Sequence, residues 1–179
     1  MKQDIERVLI SEEEIQKKVQ EMGRQISEDY KDKNLLMVSV LKGSVIIMAD
    51  LMRAITIPAR IDFMSVSSYR NGTVHKSLKI LKDLDIPLEG YDLLLVEDIL
   101  DSGKTLYSLR EMLRQRNPRS IRIATLLDKP ERREEDIRPD YYCFQVPDEF
   151  VVGYGLDYAE KYRNLPFIGV LKPEVYSGK

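Results

Sequence analysis

The chain has 179 residues, of which 43% are hydrophobic and 32% are charged, so it is long enough for one domain with a sizeable core. Its formal net charge of −2 argues against a general nucleic-acid-binding or membrane-surface protein. No stretch approaches the roughly 20 apolar residues that span a bilayer, and the N-terminus lacks the apolar core of a signal peptide, so we expect a cytoplasmic protein. Cys143 is the single cysteine, so no intramolecular disulfide is expected.

The first half of the chain alternates between helical and strand patterns. Ser11 is followed by three glutamates, which is typical of a helix start because acidic side chains interact favourably with the positive end of the helix dipole. Apolar residues then recur at helical spacing, at Ile15, Val19, Met22 and Ile26. The next predicted elements are a buried strand over 35–41, a break at 42–44, a helix over 45–52 and a strand over 61–65.

A polar segment follows, over residues 67–78. It contains Asn71-Gly72, a strong turn signal, and we therefore expect a mobile loop or a hairpin here.

The second half continues the alternation. The predicted elements are a buried strand over 93–96, an amphipathic helix carrying Leu106, Leu109, Met112 and Leu113, a strand over 121–127, a charged loop over 128–140, and short strands over 141–146, 151–154 and 167–171. Strands that alternate with helices predict an α/β fold with a mostly parallel sheet.

The most informative segment is 93–105, which reads LLLVEDILDSGKT. Ligands of such sheets bind beyond the carboxyl ends of the strands, and this segment contains such an end. Gly103 lets the backbone approach a ligand closely, and the loop amides with the hydroxyls of Ser102 and Thr105 suit a phosphate. The acidic pair Glu97-Asp98 would repel a phosphate, so it is expected to face a ribose diol or a hydrated cation. A phosphorylated sugar bound with Mg²⁺ offers both.

Two other interpretations explain this segment less completely. Gly103-Lys104-Thr105 matches the end of the nucleoside-triphosphatase phosphate loop, but that motif needs a glycine five residues earlier, where this chain has Asp98. An acidic loop with an ordinary helix cap would explain residues 101–105 alone, but not the full thirteen-residue pattern.

The thirteen-residue pattern resembles the phosphoribosyl-pyrophosphate-binding signature of the type I phosphoribosyltransferases. Within them the chain looks like the hypoxanthine-guanine phosphoribosyltransferase family, from about Leu35 to Leu171. The resemblance implies one domain over residues 1–179, with a core of about five parallel strands flanked by helices, roughly residues 35–145. A small hood subdomain would be built from the C-terminal strands and the N-terminal segment, and the purine would lie between core and hood.

The resemblance assigns the phosphoribosyl pyrophosphate site to four places. Leu41-Lys42-Gly43 matches the pyrophosphate loop, in which the Leu–Lys peptide or its neighbour adopts an unusual cis geometry and Lys42 supplies positive charge. Glu97 and Asp98 match the acidic pair near the ribose hydroxyls and the metal, and Arg163 matches a pyrophosphate contact. The 5′-phosphate cradle corresponds to Ser102, Gly103, Lys104 and Thr105.

The purine site is implied in the same way. Asp101 matches the carboxylate near N7 of the base, where a proton can be exchanged. Lys129 matches the donor to the 6-oxo group, although a lone lysine on a charged loop is ordinarily solvated. Phe150 matches the ring that stacks on the purine, although it could also be a core aromatic at a strand start. The Val151 backbone would contact the purine edge, and Asp157 matches a metal or base contact.

A lid and a metal complete the implied site. Ser68-Tyr69 matches the start of the mobile loop that closes over the substrates and keeps water away. Mg²⁺ would be held near Glu97, Asp98 and Asp157.

The resemblance implies a purine-salvage transferase that converts hypoxanthine or guanine and phosphoribosyl pyrophosphate into IMP or GMP and pyrophosphate, as a homodimer or homotetramer. The alternative is a nucleic-acid-binding regulator with the same fold, which should show a basic face or an added module that this slightly acidic chain of 179 residues lacks. An inactive pyrophosphate-binding scaffold is disfavoured because Asp101, Lys129 and Phe150 occur together. The sequence leaves open the preferred base, the role of residues 130–140, and whether Asp101 transfers a proton or only positions the base.

Overall fold

The computed structural model describes residues 1–71 and 75–177, and it describes side chains outside residues 68–77. The helices are α1 (Glu12–Asp29), α2 (Val45–Ala54), α3 (Lys104–Arg114) and α4 (Pro173–Tyr176), with short 3₁₀ turns at Lys2–Asp4 and Pro130–Arg132. The strands are β1 (Ile5–Ile10), β2 (Leu35–Val40), β3 (Ala59–Asn71), β4 (His75–Lys82), β5 (Asp92–Leu100), β6 (Ser120–Asp128), β7 (Tyr141–Gln145), β8 (Val151–Val152) and β9 (Ile168–Leu171). Within these ranges no helix combines the length and apolar character needed to cross a membrane.

A six-stranded sheet forms the centre of the molecule, in the order β4-β3-β2-β5-β6-β7. The five strands from β3 to β7 in this order are parallel, and β4 pairs antiparallel with β3 at one edge. The predicted α/β fold with about five parallel strands is confirmed.

Helices cover both faces of this sheet, which explains the continuous apolar runs. Leu94 and Val96 of β5 pack with α1 and α2 on one face, whereas Leu93 and Leu95 pack with α3 on the other. All four are fully buried. A strand buried on both faces gains stability from apolar residues at every position rather than at alternate ones.

A second, smaller sheet forms the hood. Its three strands lie in the order β1-β9-β8 and pair antiparallel, so the N-terminal segment joins the C-terminal strands. Residues 5–10 carry no strand pattern strong enough to be identified from the sequence alone. Their partner is β9, which lies more than 150 residues away in the chain (Ile5 pairs with Leu171), so local sequence does not report the pairing.

Among the predicted boundaries that differ from the structure, two bear on the candidate site. Strand β5 continues to Leu100 because its ladder with β6 runs on to the Leu100–Asp128 pair, so the acidic pair lies within a strand and not in a loop after it. Of the segment 67–78, residues 67–71 belong to β3 and residues 75–78 to β4, and these two strands pair antiparallel up to the Asn71–His75 pair. Gly72 of the predicted turn lies outside the described residues.

Candidate active site

Two adjoining clefts open at the carboxyl end of the parallel sheet. The first has a volume of about 400 Å³, and its lining includes Leu41, Lys42, Gly43, Glu97, Asp98, Asp101, Ser102, Gly103, Lys104, Thr105, Asp157 and Arg163. The second, of about 370 Å³, is lined by Asp101, Lys129, Arg132, Asp148, Glu149, Phe150, Val151, Asp157 and Tyr176. Every predicted site residue outside the lid lines one of them, and Asp101 and Asp157 line both. Ser68 and Tyr69 lie on β3, with side chains outside the described part.

The loop at the end of β5 turns directly into α3. Gly103 is the N-cap residue and has a φ of 84°, in the left-handed region that favours glycine. The first-turn amides of α3 have no partners within the helix, and the Ser102 hydroxyl lies beside them, 3.5 Å from the Lys104 amide. A helix N-terminus with free amides and a hydroxyl is suited to bind a phosphate.

A second loop, between β2 and α2, forms the opposite wall of the first cleft. Its Leu41–Lys42 peptide bond is cis, as the resemblance led us to expect. A side chain at Gly43 would overlap the Asp98 carboxylate, and one at Gly155 would overlap the Gly43 carbonyl oxygen. The loop between β8 and β9, which we call the hood loop, can therefore approach this wall closely at Gly155, and Gly43 leaves room for Asp98.

The acidic pair Glu97-Asp98 lies inside the first cleft. Burial raises the pKa of Glu97 well above its ordinary range, and the Asp98 carboxylate raises it further. Burial also raises the pKa of Asp98, although the Ile99 amide, which donates to Asp98 Oδ1 at 2.8 Å, and the charge of Arg163 oppose this effect. The pair favours either protons or a bound cation.

Carboxylates are suitable ligands for a hard divalent cation such as Mg²⁺. Among the described residues, however, no group of three or more His, Cys, Asp or Glu side chains is arranged to hold a metal. Asp157 is already engaged, since its Oδ1 lies 3.0 Å from Arg163 Nη2 and its Oδ2 accepts from the Glu160 amide at 2.9 Å. The donor set therefore fits Mg²⁺ in the mode where one or two carboxylates bind it and substrate phosphates and water complete the shell.

We predict that Glu97→Gln raises the melting temperature of the protein in metal-free buffer at neutral pH. A raised pKa in the folded state means that ionised Glu97 destabilises the fold above that pKa, and that the penalty vanishes below the pKa of the unfolded chain. The gain should therefore be present at pH 7 and disappear near pH 4, with about 2–4 °C for each kcal/mol removed. Glu89→Gln, at an exposed position, is the control; an equal melting temperature for Glu97→Gln and the unmodified chain would contradict the prediction.

Lys129 is a buried residue of the second cleft, and the solvated-loop interpretation is wrong. Its exposed fraction is 7%, and it follows directly after β6. Its Nζ donates to the Glu149 carbonyl oxygen at 2.6 Å and lies 3.8 Å from Asp148 Oδ1. The Lys129 side chain lines the second cleft, and an ammonium has three donors, one of which the Glu149 carbonyl accepts.

Phe150 lies on the cleft side and not in the core, which removes the alternative of a core aromatic. Its side chain is 38% exposed. The ring stacks on Tyr176 with centroids 4.7 Å apart and meets Tyr158 edge-on at 5.6 Å. Val151 follows it in β8, where it is buried and paired with Val170. The second cleft thus combines a flat aromatic wall with a buried ammonium.

Asp101 lies where the two clefts meet. Its Oδ1 is 3.2 Å from Nε of Arg132, an ion-pair distance without hydrogen-bond geometry. Arg163 lies across the first cleft in the hood loop, where its Nη1 donates to the Gly155 carbonyl oxygen at 2.8 Å.

Comparison with known proteins identifies the family. Residues 10–159 match the family model described as the phosphoribosyl transferase domain. A hypoxanthine-guanine phosphoribosyltransferase of Bacillus subtilis (strain 168) is 59% identical over 177 residues, which are 98% of each chain. The chain belongs to the hypoxanthine-guanine phosphoribosyltransferase family. A second member, from Streptococcus mutans, is 56% identical over 99% of each chain.

The family is also evident in solved structures. A hypoxanthine phosphoribosyltransferase from Staphylococcus aureus is 51% identical and superposes with a TM-score of 0.95, over 98% of this chain and 96% of that one. The sheet order, the hood and the clefts therefore belong to a type I phosphoribosyltransferase fold.

Several cleft residues of this family member were not identified from the sequence. They are Arg132, Asp148, Glu149 and Tyr176. Tyr176 belongs to a four-residue helix near the C-terminus, and Arg132 lies in a charged segment that resembles an ordinary solvated loop. Their positions depend on how distant segments pack, for which a single sequence carries no periodic signal.

Proposed function

We propose that the chain is a purine-salvage transferase that converts hypoxanthine or guanine and phosphoribosyl pyrophosphate into IMP or GMP and pyrophosphate. The observation that carries this proposal is the pair of adjoining clefts with Asp101 between them. One cleft has the features of a phosphate and polyol site, and the other has those of a flat, carbonyl-bearing base. A transfer between a sugar phosphate and a base needs both sites side by side.

The first cleft would bind phosphoribosyl pyrophosphate. The amides and hydroxyls of Ser102–Thr105 suit the 5′-phosphate, and the loop Leu41-Lys42-Gly43 with Arg163 suits the pyrophosphate. Lys42 is exposed and its Nζ lies 2.8 Å from Glu160 Oε2, a contact that an incoming phosphate would replace. Glu97 and Asp98 would face the ribose hydroxyls.

Mg²⁺ is proposed as the cation, with Glu97, Asp98 and Asp157 as the residues nearest to it. Its charge would neutralise the pyrophosphate as that group leaves. The raised pKa values of Glu97 and Asp98 support a cation at this place, because it would restore their ordinary ionisation.

The second cleft would bind the purine. The Lys129 ammonium would donate to the 6-oxo group, Phe150 would stack on the ring, and the Val151 backbone would meet the purine edge. Asp101 would lie beside N7. In the reaction the bond from ribose C1 to pyrophosphate breaks, the bond from C1 to the purine nitrogen N9 forms, and Asp101 takes the proton released at N7.

Exclusion of water would protect the positively charged ribosyl centre from hydrolysis. We assign this role to the β3–β4 hairpin, which carries Ser68 and Tyr69 and stands at the sheet edge. Its closure over the first cleft would be a lid motion of the usual kind.

The proposed function is tested by incubating the purified chain with phosphoribosyl pyrophosphate, Mg²⁺ and one base at a time, and by measuring nucleotide and pyrophosphate chromatographically. We expect equal amounts of nucleotide and pyrophosphate from hypoxanthine or guanine. Nucleotide formation with xanthine would show that the chain accepts a wider range of 6-oxopurines. Absence of nucleotide from every 6-oxopurine, with a folded preparation, would overturn the proposal.

We further predict that turnover requires a divalent cation. Excess chelator should abolish nucleotide formation, since an acidic pair without its cation repels the substrate phosphates, and Mg²⁺ should restore it. A rate in excess chelator equal to that with Mg²⁺ would show that the carboxylates act alone.

A cytosolic location and a dimeric or tetrameric assembly remain predictions. Light scattering on the purified chain measures the second.

A further inference from the structure

The segment after Lys129 packs against residues Ser102–Thr105, which we call the phosphate loop, and several contacts connect the two. We call residues 130–137 the strap. The Glu134 amide donates to the Ser102 carbonyl oxygen at 2.9 Å, and Lys104 forms an ion pair with the Glu134 carboxylate. A side chain at Gly103 would contact Ile137 at 2.5 Å and Arg133 at 3.1 Å. The strap therefore fills the space behind the loop.

Arg133 is the centre of these contacts. Its Nε donates to the Asp101 carbonyl oxygen at 3.0 Å, its Nη1 to that of Ile137 at 2.7 Å, and its Nη2 to that of Leu100 at 3.3 Å. Nη2 also forms an ion pair with the buried Asp128 carboxylate. The Arg133 side chain is only 13% exposed, so these acceptors and not water satisfy most of its donors.

Three of these four acceptors, those of Leu100, Asp101 and Asp128, belong to the two segments that carry the proposed substrate contacts. Leu100 and Asp101 lead into the phosphate loop, and Asp128 immediately precedes Lys129. The Lys129 amide in turn donates to the Leu100 carbonyl oxygen at 2.9 Å. The Arg133 guanidinium thus links the backbone of Asp101, the proposed proton acceptor, to the end of β6 that precedes Lys129, the proposed donor to the 6-oxo group.

We propose that Arg133 is a positioning residue that fixes Asp101 relative to Lys129, an assignment that rests on the function proposed above. The planar guanidinium has five donors in a fixed fork and can serve all four acceptor groups at once. A lysine retains the charge opposite Asp128, but its single nitrogen cannot span the same acceptors. The base needs both contacts together, because misplacement of a reacting group by about 1 Å costs on the order of 10²-fold in rate.

The test compares Arg133→Lys with Arg138→Lys, a matched change at an exposed position after the strap. We expect Arg133→Lys to lower kcat/KM for hypoxanthine by about 10²-fold, while Arg138→Lys leaves it unchanged. We expect added guanidinium, at millimolar concentration, to restore part of the kcat of Arg133→Ala. A normal kcat/KM in folded Arg133→Lys, or no recovery of Arg133→Ala with guanidinium, would overturn the proposal.

Amide exchange measured by NMR on the unliganded protein provides a readout independent of activity. Arg133→Lys should speed exchange of the Lys129 and Glu134 amides, which donate to the Leu100 and Ser102 carbonyl oxygens. Amides of β5 should stay as protected as in the unmodified chain. Equal exchange at Lys129 and Glu134 in both proteins would contradict the link even if the chain made no nucleotide. A missing activity of the unmodified chain would instead refute the proposed function alone.

Discussion

Hypoxanthine or guanine is expected to be converted with a kcat/KM about 10⁴–10⁵ times that of adenine. The reason is the buried Lys129, whose ammonium has three donors and no acceptor. It pairs with a 6-oxo group, but the hydrogens of a 6-amino group would point towards its own. In a closed site both groups would then be desolvated and unmatched, which makes rejection strong. The measurement is nucleotide formation with each base at equal concentration.

Lys129→Ala tests the residue itself. We expect it to raise the KM for hypoxanthine more than the KM for phosphoribosyl pyrophosphate, because Lys129 lines the second cleft only. Lys31→Ala, at an exposed position after α1, is the control. Efficient use of adenine by the unmodified chain would contradict both the base assignment and the role of Lys129. Unchanged hypoxanthine kinetics in Lys129→Ala would remove only the role of the residue.

Asp101→Asn is expected to lower kcat by about 10²-fold or more, because acid–base groups contribute about 10²–10⁴. The change preserves the shape of the side chain and removes the group that would accept the N7 proton. Its position between the clefts makes it accessible to the base. Single-turnover measurements separate this step from product release. A normal turnover number would mean that the carboxylate only positions the base.

The parts of the fold that follow from local pattern were predictable. Residues 93–96 are apolar at every position because helices cover both faces of β5, and the capping residue Ser11 marks the start of α1, where it forms a reciprocal capping box with Glu14. The hood strand β1 could not be predicted as firmly, since its hydrogen bonds come from β9 at the other end of the chain.

The site shows the same division. The segment 101–105 was recognisable because a glycine, hydroxyls and a helix start follow one another directly in the sequence. The contacts of the buried Lys129 are with Asp148 and Glu149, about 20 residues further along the chain, and the contacts of Arg133 depend on how the strap folds over the phosphate loop. Both are tertiary effects, and the sequence around them has the composition of a solvated loop.

A crystal structure with bound IMP is the most direct test of the central claim, that the two clefts form one active site joined at Asp101. We expect the 5′-phosphate on the amides of 102–105, the purine ring stacked on Phe150, O6 at about 2.7–3.2 Å from Lys129 Nζ, and Asp101 beside N7. IMP bound with its base outside the second cleft, or with its phosphate away from the start of α3, would contradict the account.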